Sequence, residues 1–168
     1  MEQMRKSYLG WLRDAHAMEE QALTMMQGMV NRLEHYPELR DRIQTHIAET
    51  EGQEAELRRL LDGYGESSSM VKDAMGKLAA VGQAMSGVFA SDEVVKGTLA
   101  SYTFEHMEIA SYRILIAAAG QLGDSQAVEV FRRCLSEEEA MADWLANHSS
   151  EITRQFLART ELDLPAGR

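Results

Sequence analysis

Phe104-Glu105-His106-Met107-Glu108-Ile109-Ala110-Ser111-Tyr112 is the stretch that decides how this chain is read. It sits inside a longer stripe of Val95, Thr98, Tyr102, Glu105, Ile109, Tyr112, Ile116 and Ala119, whose steps of three and four residues place every member on one helix face. That face is apolar on both sides of a central glutamate. Three other stretches repeat the pattern. One runs Leu9, Leu12, His16, Glu19, Leu23, Met26, Val30, Leu33, and another runs Val128, Phe131, Leu135, Glu138, Ala142, Leu145. The remaining one runs Leu39, Ile43, His46, then Glu49 or Thr50, then Gln53, Leu57, Leu60. Four carboxylates therefore point inward near the middles of four helices. A buried, unpaired carboxylate costs several kcal/mol even after relaxation, so a core with four of them needs protons, paired cations or bound metal. A carboxylate-lined metal site accounts for the set.

Breaker residues set the order of the helices. The first is expected from about Glu2 to Glu34, roughly 50 Å at 1.5 Å per residue, and stops at Tyr36-Pro37, because proline biases its predecessor away from helical geometry. Glu38 favours the start of the second helix, which is expected to end near Asp62, before the cluster from Gly63 to Ser69. Met70 to about Val88 has a helical pattern broken by Gly76, Gly82 and Gly87, and forms the one long connection. Ser91 with Asp92 and Glu93 reads as the cap and acidic first turn of the third helix, expected to run to about Leu122. Gly123-Asp124 turns the chain into the fourth, to about Leu157. The expectation is an all-α, ferritin-like four-helix bundle over residues 1–158, with one long crossover containing an additional short helix. Residues 159–168 are expected to be a flexible tail.

Composition bounds the function. A length of 168 residues with 45% hydrophobic content suits one domain with a real core, and two prolines with 7% aromatics suit helices. The formal charge of −10 provides no basic surface for phosphates, so nucleic acid is not an expected partner. No apolar run approaches membrane-spanning length and the N-terminus has no apolar signal core, which leads to the expectation of a cytoplasmic protein without a membrane partner. Cys134 is the only cysteine and reads as a buried, inert thiol. The eleven methionines read as adaptable core filling rather than copper ligands. In the run Glu137, Glu138, Glu139 only the middle member is expected to face inward.

Carboxylates with some imidazole suit iron, manganese or zinc. Glu19, Glu49, Glu105 and Glu138 are the first candidate ligands, with Glu108, one turn after Glu105, as a fifth and His46, three residues before Glu49, as a sixth. His16, three residues before Glu19, together with Gln53 and Tyr112, stands behind them as a residue able to orient ligands. Tyr102 is expected to flank the carboxylate layer, while His35, His106 and His148 read as surface residues. No organic cofactor is expected.

Five segments carry a resemblance. Leu12-Arg13-Asp14-Ala15-His16-Ala17-Met18-Glu19, Tyr36-Pro37-Glu38-Leu39-Arg40, His46-x-x-Glu49-Thr50-x-x-Gln53, Phe104-Glu105-x-x-Glu108-Ile109-Ala110-x-Tyr112 and Glu137-Glu138-x-x-Met141-Ala142-Asp143-Trp144-Leu145 resemble the YciE branch of the YciE/YciF family of bacterial ferritin-like proteins. The resemblance runs from about Tyr8 to Leu157. It implies a ferritin-like fold, a homodimer, expression under stress and a dinuclear metal site of iron or manganese. If the chain is an enzyme, it implies an oxidoreductase of the di-iron or di-manganese carboxylate type. The wider di-iron pattern takes single glutamates from two helices and Glu-x-x-His from the other two. Glu19 and Glu105 fit the single positions and Glu49 and Glu138 open the pairs, but Gly52 and Met141 stand where the histidines belong. That departure favours a harder, carboxylate-rich site, and it motivates an alternative: a non-catalytic homodimeric helical interaction protein with a vestigial site.

Overall fold

The computed structural model describes residues 1–66 and 92–167. Four helices account for most of them: α1 Glu2–Val30, α2 Pro37–Gly63, α3 Glu93–Leu122 and α4 Ser125–Glu161. The short helix expected between Met70 and Val88 and the Ser91 cap lie outside the described residues.

Helix ends follow local chemistry. α1 stops at Val30, four residues earlier than the sequence suggests, and the chain tightens through Arg32 N–H to Met29 O at 2.9 Å. This frees Leu33 and Tyr36 to bury themselves, each at most 3% exposed. Pro37 opens α2, where its missing N–H would have had no helical partner. Gly123 adopts a left-handed φ of 75°, and the Asp124 N–H then bonds Ala119 O at 3.0 Å, closing α3. The Asp124 carboxylate accepts the Ala127 N–H at 2.9 Å and so also starts α4. α4 continues past Leu157 to Glu161. Beyond it the chain folds back: Tyr36 donates its hydroxyl hydrogen to Ala166 O at 2.5 Å, and the Val94 N–H bonds Gly167 O at 3.1 Å.

Two apolar clusters fill the bundle. The first joins Tyr8, Leu9, Leu12 and Ala15 at the start of α1 to Leu57 and Leu61 near the end of α2, Tyr112, Leu115 and Ala119 near the end of α3, and Phe131 and Cys134 near the start of α4. The second joins Met26 and Met29 late in α1 to Leu39 and Ile43 early in α2, Val94 and Phe104 early in α3, and Leu145 and Ile152 late in α4. These groupings make α1–α2 and α3–α4 antiparallel hairpins and set α2 parallel to α3. Consecutive helices set parallel, between two antiparallel hairpins, are the helix arrangement of ferritin-like folds. Buried Met18, Met26, Met29 and Met141 are core filling, as expected. Cys134 is 3% exposed, and burial pushes its thiol up to about 12. Among the described residues no helix is long and apolar enough to cross a membrane.

Candidate metal centre

Between the two apolar clusters lies a polar layer. Glu19, His46, Thr50, Gln53, Glu105, Glu108 and Glu138 are all buried, none more than 4% exposed. α1 contributes Glu19, flanked along its buried face by Leu12, Ala15, Ala22 and Met26. α3 contributes Glu105 and Glu108, with Tyr112 one turn further on. α4 contributes Glu138, between Phe131 and Leu145, while Glu137 and Glu139 stay at the boundary with solvent.

α2 is rotated relative to the simplest reading. Its buried positions are Leu39, Ile43, His46, Thr50, Gln53, Leu57 and Leu61, so Thr50 takes the inward place and Glu49 does not. The Glu49 side chain is 28% exposed and accepts hydrogen bonds from Arg42 at 3.1 Å and from His46 Nδ1 at 2.7 Å. Gly52 is exposed, so neither residue of the assumed Glu-x-x-His pair on this helix faces the core. Ile43 and Leu57, both 0% exposed and two heptads apart, fix the rotation, and their midpoint is Thr50.

The centre of the layer is compact. His46 Nε2 lies 3.1 Å from Glu105 Oε2 and 3.3 Å from Glu138 Oε2. Tyr112 donates its hydroxyl hydrogen to Glu19 Oε1 in a short bond. Four carboxylate oxygens here are buried without a hydrogen-bond partner: Glu19 Oε2, Glu108 Oε1 and both oxygens of Glu138. Burial of this kind is costly for polar atoms, and it gives a cation four ready donors.

Proton affinities follow from that crowding. Burial pushes Glu19 well above the carboxylate range, reinforced by the charge of Glu138. Burial raises Glu108 likewise, with repulsion from Glu19, Glu138 and Glu105 added. Glu105 is pushed up to about 8, chiefly by burial and against the pull of His46. Burial acts to raise Glu138 too, yet its contacts with His46 and Glu105 hold it below the usual value. For His46 burial opposes the charge, but Glu105 and Glu138 override it and push the imidazole up to about 11. Without metal, the layer is balanced by protons and one imidazolium.

The other expected residues take different partners. Gln53 is buried and donates to Glu137 Oε2 at 2.7 Å on the α2–α4 side. His16 is 0% exposed but turns toward the α1–α2 surface, where its Nε2 bonds Glu54 Oε1 at 2.7 Å. Tyr102 does not flank the layer: it is 36% exposed and packs edge-on against exposed His106, because Ser101 takes the inward side and reaches Met29. Met141, in the missing-histidine position of α4, is fully buried. Single-helix periodicity did not mark Glu20 and Glu54 as partners of His16, since their meeting depends on how α1 packs against α2.

Comparisons agree with this architecture. A solved structure of a protein from Xanthomonas campestris pv. campestris is 39% identical, covering 94% of this chain and 99% of that one, with a TM-score of 0.79. YcfI from Rhodopseudomonas palustris is 24% identical, covering 85% of this chain and 92% of its own, with a TM-score of 0.70. The E. coli stress protein YciF is 21% identical, covering 89% and 96%, with a TM-score of 0.68. The model of the family described as a domain of unknown function, DUF892, matches residues 3–158. A match over that span, joined to a helical bundle shared with YciF, places the chain in the DUF892 family, the YciE/YciF family of the sequence resemblance.

Proposed function

We propose that the chain is a ferritin-like metalloprotein of the stress response whose polar layer holds one or two ions of iron or manganese. The observation that carries this reading is the set of four buried carboxylate oxygens without hydrogen-bond partners, gathered around Glu138. Glu19, Glu105, Glu108 and Glu138 are the carboxylate donors, and His46 presents Nε2 to the same space. Such ions would supply the one-electron chemistry that oxidises ferrous iron or consumes oxygen or peroxide. Glu49 would act from outside the layer, since a carboxylate on Nδ1 fixes the tautomer and orientation of a ligating histidine. Tyr112 would hold Glu19 in place through its hydroxyl. Protons displaced from Glu19, Glu105 and Glu108 would leave as the cations enter.

An anaerobic ferrous titration of metal-free protein, followed by oxygen, tests the reading. About two irons per chain and a ferric absorbance band on oxygenation are expected. No binding of ferrous iron or of manganese would overturn it.

A second reading has its own support. His46 between Glu105 and Glu138 already supplies a buried positive charge, so the layer can balance without metal. The chain would then be a homodimeric interaction protein with a vestigial site. Its melting temperature would respond neither to chelator nor to added metal, whereas a ligand held by the folded state alone stabilises by mass action.

A further inference from the structure

His16, Glu20 and Glu54 form a second group outside the polar layer, at the seam of α1 and α2. One potential donor atom from each lies within 4.8 Å of the others. His16 is 0% exposed, and its Nδ1 is buried without a hydrogen-bond partner. Glu20 Oε2 is likewise buried and unpartnered, and the two atoms stand 3.4 Å apart. That spacing is the edge of a tetrahedron whose centre lies about 2.1 Å from each atom, the ordinary bond length from zinc to imidazole nitrogen or carboxylate oxygen. The other ring nitrogen, Nε2, is bonded to Glu54 Oε1 at 2.7 Å, which fixes Nδ1 as the free, unprotonated nitrogen when Nε2 carries the hydrogen.

We propose that this group is a separate, partly solvent-accessible site for a borderline divalent cation such as zinc, with His16 Nδ1 and Glu20 Oε2 as donors and Glu54 orienting the imidazole from its other nitrogen. Glu20 and Glu54 side chains are 24% and 19% exposed, so water can complete the coordination. The guanidinium of Arg58 bonds Glu54 at 2.7 Å and approaches Glu20 to 3.6 Å. It occupies the place of the cation's charge and, at 48% exposed, can swing into solvent when the cation arrives. The site does not depend on the function proposed for the central layer.

Crystals of the full chain soaked in zinc chloride, with anomalous scattering recorded at the zinc edge, give the test. The expected result is a peak between His16 and Glu20 that disappears in Glu20→Ala. In Arg58→Gln the same peak is expected at roughly tenfold lower zinc, because a competing positive charge has gone. Glu20 and Arg58 are both partly exposed, so neither change threatens folding. A peak at His46 alone, no peak at all, or a peak at His16 that survives Glu20→Ala would overturn the proposal. Unchanged zinc demand in Arg58→Gln would overturn the role given to that arginine.

Discussion

His16 and His46 each stand three residues before a glutamate on a long helix, and each is almost fully buried. Each also has a carboxylate at 2.7 Å on one ring nitrogen: Glu54 on Nε2 of His16, and Glu49 on Nδ1 of His46. The difference lies on the other nitrogen. That of His46 faces Glu105 and Glu138, whose side chains are at most 5% exposed, whereas that of His16 faces Glu20, which reaches solvent and has Arg58 nearby. In the first case the imidazole is the buried counter-charge of the core. In the second, water and an arginine share that task. The same motif thus acquires its energetic weight from the partners that other helices bring to it.

Exchanging each histidine for leucine is the sharpest way to break the comparison. His46→Leu removes one partner of a buried ion pair and is expected to destabilise the metal-free chain by about 3 kcal/mol in urea unfolding at neutral pH. His16→Leu should cost about 1 kcal/mol, because its partners are hydrated and paired with Arg58. Equal losses would remove the distinction between the two sites.

The pH dependence of stability comes next in size. The unfolded Glu105 loses its proton near 4.5 and the folded one near 8, so between those values the folded state holds a proton that the unfolded state has released. Stability therefore falls as pH rises through that window. His46 acts in the same sense higher up: its contribution is complete below about 6.5 and is lost as pH climbs through about 11. Glu138, held low, costs stability only as pH falls through its depressed value. Thermal melts in chelator should lose on the order of 2 kcal/mol between pH 5 and 8. Added manganese should reverse the slope, since cations displace those protons.

Smaller effects separate the supporting groups. Glu49→Gln should weaken manganese binding at the centre roughly tenfold in calorimetric titration without moving zinc at His16, and Glu54→Gln should do the converse. Tyr112→Phe leaves Glu19 without its donor and should cost about 1 kcal/mol, read from the midpoint of chemical denaturation.

The parts of this arrangement legible in the sequence are those that a single helix determines. Glu19 and Glu138 stand out because buried apolar residues one turn away on both sides fix their faces, Glu105 because Thr98, Ile109 and Tyr112 continue its face, and Glu108 follows by one turn. α2 was ambiguous because His46, Glu49, Thr50 and Gln53 are all polar, so hydrophobic periodicity carries no signal across its middle. The signal lay farther out, in the two-heptad spacing of Ile43 and Leu57. Tyr102 misleads for a related reason: the seven-residue step from Thr98 to Glu105 can pass through position 101 or 102, and the smaller Ser101 fits the interior. Contacts between helices, such as Glu54 with His16 or Ala166 with Tyr36, depend on relative placement that no pattern along one helix encodes.

The apolar clusters at the two ends of the bundle have a kinetic meaning. With Leu12, Leu57, Leu115 and Phe131 filling one end and Ile43, Phe104 and Leu145 the other, the described residues make the bundle axis apolar on both sides of the polar layer. An ion bound at the centre would then enter sideways, through seams that part when helices breathe. For a metal held at the centre as proposed, exchange would be timed by local opening rather than by diffusion, and the metal carried by a purified sample would record the medium in which the chain folded.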